Sequence, residues 1–151
     1  MVKNILLGIG FFIILIIGGG LYNFLIGNKQ EKLAEVKIGD AKFEVEVADS
    51  VLKKARGLSN RGGLPENKGM LFVFDISGQY PFWMKGMNFP LDIIWIKGDK
   101  IIGIEKNIPP PAAGEILKSY QPAESIDKVL EINAGSSDEL GIKVGDKVIF
   151  K

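Results

Sequence analysis

The sequence predicts a mainly β (α+β) protein: a compact β-barrel-like domain with two short helices, preceded by one transmembrane helix. Three observations predict it. The stretch Ile5 to Ile26 is apolar and carries no charge. Beyond it, about seven short apolar or alternating runs recur, separated by Gly, Pro and Asp turn signals at intervals of about 8–12 residues. No long amphipathic helix interrupts them, which argues against the βαβ units of a doubly wound sheet.

The N-terminal run "ILLGIGFFIILIIGGGLYNFLI" is long enough, at about 1.5 Å per residue, to cross a hydrocarbon core of about 30 Å. Fifteen of its residues are Leu, Ile or Phe. At about −0.3 to −0.6 kcal/mol each they favour insertion by roughly 5 to 9 kcal/mol, before Gly and Asn23 subtract their share. The run exceeds the usual core of a cleaved signal peptide, and no A-x-A-like site follows it. The expectation is an uncleaved single-pass anchor over residues 1–28 that contacts membrane lipid and leaves the domain outside the cytoplasm. A polar tether follows over residues 29–35, and a β-rich domain over residues 36–151.

Within that domain, Lys42 to Val47 alternates, with Phe43, Val45 and Val47 inward and Lys42, Glu44 and Glu46 outward. Gly39-Asp40 supplies the turn before it. "DSVLKKARGLS" reads as a short helix capped by Asp49 or Ser50 and ended by Gly57. "NRGGLPENKG" is a loop by its Gly and Pro content. "MLFVFD", Met70 to Asp75, is apolar on both faces and so reads as a doubly covered strand. "FWMK", "LDIIWI", "KIIGIEKNI", "KVLEI" and "KVIF" complete the strands, with a hairpin turn at Lys97 to Lys100. Pro109 to Pro122 is a long loop, and "SSDELG" a single helical turn near Ser136.

Composition excludes much chemistry. The chain has 151 residues with no Cys and no His. A disulfide, a Cys nucleophile, a Ser-His-Asp triad and a His/Cys zinc site are therefore impossible. No cofactor is expected. A thioether copper site at Met70, Met84 and Met87 lacks the supporting ligands, so these residues read as core. The 19 basic and 18 acidic groups balance, with Lys3 and Lys29 the only charges in the first 29 residues. No basic face is implied, so no nucleic-acid partner is expected.

Three blocks, "ARGLSNRGGLPENKGMLFVFD", "FWMKGMNFPLDIIWI" and "VLEINAGSSDELGIKVGDKV", resemble the domain of unknown function 192 family, also called uncharacterised protein family 0127. The resemblance spans Val36 to Lys151 and implies a compact β-rich fold, often behind a secretory signal or single anchor. It implies no activity. The family's middle block usually runs F-W-M-K-N-T before P-L-D; here Gly86-Met87 stands where Asn-Thr is common.

The candidate site follows from charges embedded in "PFWMKGMNFPLDIIWI". Strand alternation puts Trp83 and Lys85 on one face, Phe82 and Met84 on the other, and Asp92 with Ile94 and Ile96. A buried carboxylate without partners costs several kcal/mol or keeps its proton. Arg56, with its planar fork, is the first candidate partner, ahead of Arg61, Lys85 and backbone amides. One reading is a structural ion pair. The other is the polar floor of a cleft in which Arg56, Trp83, Lys85 and Asp92 meet a small polar molecule, a saccharide or a polymer segment, with Met70 and Met84 as walls. Glu131 reads as a surface strand residue; paired with Asp92 it would form the two-carboxylate arrangement of a hydrolase. A third possibility is a structural or assembly domain without a ligand.

Overall fold

The computed structural model describes residues 32–151. The anchor expected over residues 1–28 lies outside the described residues. Among the described residues, no helix is long and apolar enough to cross a membrane.

Among the described residues nine strands and two short helices follow one another: β1 (Leu33–Ile38), β2 (Ala41–Ala48), α1 (Val51–Arg56), β3 (Lys68–Gly78), β4 (Phe82–Trp83), β5 (Leu91–Lys97), β6 (Lys100–Ile108), β7 (Ser119–Tyr120), β8 (Ile126–Asn133), α2 (Ser136–Glu139) and β9 (Val148–Phe150). β1 thus begins inside the stretch expected to be a polar tether. Seven strands form one sheet in the order β6-β5-β8-β3-β2-β1-β9, and β4 pairs with β7 in a separate ribbon. The sheet curls into a half-barrel. Its two edges touch where Lys100 bridges Lys147 and the Val148 amide donates to the Asp99 carbonyl at 2.8 Å.

Local chemistry explains the joints. The β1–β2 and β5–β6 hairpins turn through Gly39 and Gly98, each at positive φ, the first-position glycine that a two-residue II′ turn requires. Ser50 caps α1 by accepting from the Lys53 amide at 3.3 Å, and Gly57 ends it with φ 50°. β2 and β3 run parallel, so the chain must cross between them, and α1 with the loop after it makes that crossing.

Both faces of the central strands are buried, as the unbroken apolar run of β3 predicts. Inside the curl, Val36, Phe43, Val45, Leu71, Ile94, Leu130 and Ile132 form one core, and contacts across it from β9 and Ile142 close it. On the other face, Met70, Phe72, Ile93, Trp95 and Val129 pack against Leu58, Met84 and Met87 from the covering loops. Register sets which residue belongs to which face. Ile93 opposes Glu131, and Glu131 opposes Met70, so these three side by side form a row on the loop-covered face. Asp92 opposes Ile132 and points the other way.

Candidate functional site

The covering loops do not seal their face. Between α1, the loop after it, and the segment around β4 lies a cleft of ≈ 260 Å³, lined by Phe72, Phe74, Tyr80, Phe82, Trp83 and Met87, with Glu131 among its lining residues. That volume lies just below the ~300–1,000 Å³ of pockets that take drug-sized ligands. The aromatic walls brace one another. Phe74 stacks on Tyr80 with centroids 3.8 Å apart, and Phe82 meets Phe72 edge-on at 4.9 Å and Trp95 at 5.5 Å. The Tyr80 hydroxyl donates to the Ile76 carbonyl at 2.6 Å, which fixes the ring.

Glu131 is the exceptional residue. A strand carboxyl on a one-sided sheet would face water; here loops cover that side and leave it 6 % exposed. The expectation of a surface residue is corrected for that reason. Among the described residues its carboxyl has no hydrogen-bond or ion-pair partner. Burial pushes its pKa up to about 8, and the nearby Arg61 guanidinium only partly opposes this. Arg61 is already committed: it grips Glu46 through two bonds of 2.5 and 2.6 Å. Glu46 opposes Met70, so the row across the sheet reads Glu46, Met70, Glu131, Ile93. Arg61 thus serves an acid one strand beyond Met70 and reaches Glu131 only through its field.

The loop that carries Arg61 is latched to the segment after β4. The Ser59 hydroxyl donates to the Lys85 carbonyl at 2.8 Å, the Asn60 amide to the Gly86 carbonyl at 2.7 Å, and the Asn88 side chain to the Arg61 carbonyl at 2.9 Å. Gly86 has φ 69°, a conformation that Gly and Asn adopt most readily.

At the mouth stand two cations. Lys54 donates to the Val73 carbonyl at 2.7 Å and lies 4.7 Å from the centre of the Phe74 ring. Arg56 is exposed, lines the cleft, and has no side-chain partner among the described residues.

Of the residues singled out from sequence, Arg56, Trp83 and Glu131 line this cleft. Met70 is buried beneath it, 4 % exposed. Met84 turns away to a crevice of ≈ 60 Å³ beside Pro109–Pro111 and Tyr120. Lys85 is exposed and contributes its carbonyl, not its ammonium. Asp92 has no cationic partner. It is fully buried, and its carboxylate accepts from the backbone amides of Asn107 at 2.8 Å, Gly135 at 3.2 Å and Ser137 at 2.9 Å. Asn107 reaches it because a bulge in β6 holds this residue at φ 53° and turns its amide inward. The expected Arg56–Asp92 pair is therefore absent, and three backbone donors hold the charge instead. The hydrolase pairing fails on register: Asp92 and Glu131 lie on opposite faces of the sheet. Sequence reasoning missed Phe72, Phe74, Tyr80 and Phe82 as walls. Their signal was the density of aromatics between Phe72 and Trp83, which the strand assignment alone absorbed as core.

The geometry defines a β half-barrel domain with an aromatic cleft and a buried, unpartnered acid within it. The chain belongs to the DUF192 family, described as "Uncharacterized ACR", whose pattern matches residues 34–150. Solved structures that share the fold include the following two. A protein of unknown function from Novosphingobium aromaticivorans is 31% identical, with 81% of this chain and 88% of that one covered and a TM-score of 0.73. A protein from Sinorhizobium meliloti 1021 described as a putative transcription regulator is 28% identical, with 82% and 98% covered and a TM-score of 0.72. No curated protein sequence matches the chain significantly.

Proposed function

We propose that this domain binds a small organic molecule in the aromatic cleft, held on a membrane anchor outside the cytoplasm. The observation that carries the binding reading is Glu131. Glu131 is 6 % exposed and has no hydrogen-bond partner among the described residues, yet its oxygens are not sealed from solvent, so the little water that reaches them comes through the cleft, and burial still disfavours the charged form. Such a group lining an open cleft has its bonding capacity reserved for a guest. The stacked walls supply apolar contact, and the neutral acid supplies one donor and one acceptor to orient the ligand. Arg56, Trp83 and Glu131 are the binding residues retained from the sequence; Lys85 and Asp92 serve the scaffold.

The apolar run Ile5 to Ile26 supports the anchor. Deleting residues 1–28 and fractionating cells tests it: the truncated protein is expected in the soluble fraction, and its persistence in membranes would overturn the anchor reading. The binding reading is tested by a ligand-observed NMR screen of small aromatic and polar fragments on the full-length protein. Hits are expected that disappear in Trp83→Ala, a substitution at a residue 54 % exposed that leaves the fold intact. A screen without a single Trp83-dependent hit would refute the reading.

A further inference from the structure

We propose that the cleft selects an organic anion: a small molecule with an aromatic body and a carboxylate, the ring seated among the aromatic walls and the carboxylate at Arg56 and Lys54. This inference rests on the binding reading and adds the charge of the guest. Three observations converge on it.

The first is the charge at the mouth. Arg56 has no acidic partner, in contrast to Arg61, which Glu46 holds through two bonds. Lys54 likewise pairs with no carboxylate; its ammonium is shared between a carbonyl and a ring face. Other described cations are of both kinds: Lys53, Lys97, Lys106 and Lys147 pair with carboxylates, while Lys37, Lys42, Lys85, Lys100, Lys118 and Lys143 do not, so what distinguishes Arg56 and Lys54 is that both line the cleft. Two unmatched cations beside one cleft form a local positive field, and Arg56 presents a planar fork suited to a carboxylate.

The second is the depth of the cleft. Between mouth and acid the lining is aromatic, so the middle of the ligand must be apolar; Tyr80 and Lys54 already cover the two faces of Phe74, which leaves Phe72, Phe82 and Trp83 to receive it. The third is Glu131 itself. A cationic guest would need this acid to ionise in surroundings that disfavour its charge, with Arg61, Lys54 and Arg56 all repelling the newcomer. An anionic guest meets no such opposition, because the protonated acid donates to an acceptor on the ligand and carries no charge against it.

The test compares phenylacetate, phenylacetamide and 2-phenylethylammonium on the full-length protein at pH 7, read by quenching of tryptophan fluorescence. Trp83→Phe separates the cleft signal from that of buried Trp95. Phenylacetate is expected to bind about tenfold tighter than the neutral amide, and Arg56→Ala combined with Lys54→Met is expected to erase that preference. Equal or tighter binding of the amide or the ammonium would overturn the anion selectivity and leave the cleft a binding site. A preference for phenylacetate that survives the double substitution would also overturn it. If none of the three probes binds while other fragments give Trp83-dependent hits, the proposed ligand class is wrong. If no fragment binds at all, the binding reading falls with it.

Discussion

Replacing Glu131 by Gln should make the protein more stable at alkaline pH, and the size of the gain follows from the structure. The acid has a pKa of about 8 when folded, against 4.5 for the free group. The folded state therefore binds more protons than the unfolded state between these two values, and stability must fall as pH rises through that window. Below pH 4.5 both states are protonated and nothing is lost; above pH 8 the full penalty is present. At about 1.4 kcal/mol per pH unit the interval corresponds to roughly 5 kcal/mol, and solvent reaching the cleft trims this to roughly 3–5 kcal/mol. That is a large share of the 5–15 kcal/mol that typically holds a domain together. Glutamine keeps the shape and cannot ionise, so the variant should show no loss over the window. Asp49 and Asp127, whose pKa values are lowered, respond only at acid pH and are common to both proteins. Urea unfolding at pH 5, 7 and 9 measures the difference. Wild type and variant should be similar at pH 5 and separate progressively toward pH 9, with the variant the more stable. Parallel pH curves would show that Glu131 is ionised at ordinary cost and that the reasoning is wrong.

Two further perturbations test the scaffold around the cleft. Asp92→Ala strands three amides, one buried and two part-buried, that one carboxylate now satisfies, and should cost roughly 2–4 kcal/mol in urea unfolding; Asp92→Asn, which keeps one acceptor oxygen, should cost distinctly less. Gly69→Ala would place a methyl group 2.7 Å from the Glu131 carbonyl oxygen, a backbone atom that cannot step aside, and should lower stability by about 1–3 kcal/mol with a matching fall in thermal midpoint.

Much of the fold was legible because its signals are local. The alternation of Phe43, Val45 and Val47 set the inward face of β2, and all three are buried. The glycines at 39 and 98 marked the hairpins, and Ser50 and Gly57 marked both ends of α1. The continuous run of β3 foretold burial on two faces, and that same fact should have been extended to its neighbour. Glu131 lies on β8, hydrogen-bonded to β3, so a doubly covered sheet buries it whichever way it points. The sequence leaves Asp92 either at a strand's open end or buried with a partner, and the structure buries it. Its partners were not legible, because the amides of Asn107, Gly135 and Ser137 come from distant stretches and backbone donors leave no mark in the residue types. β4 lies within the stretch FWMK expected as a strand, but its partner β7 lies inside Pro109 to Pro122, expected as a loop without structure, and it is this ribbon that brings Phe82 and Trp83 to the cleft. The site was thus half visible: Arg56, Trp83 and Glu131 were named, while the walls between them depended on tertiary pairing.

The most direct measurement is a pH titration of the Glu131 side-chain carboxyl by carbon-13 NMR on the full-length protein, with Glu131→Gln to assign the resonance. A midpoint near 8, well above those of the exposed glutamates, is the predicted result. A midpoint near 4.5 would mean a solvated, ionised carboxylate, and the buried neutral acid on which the proposed binding reading rests would not exist.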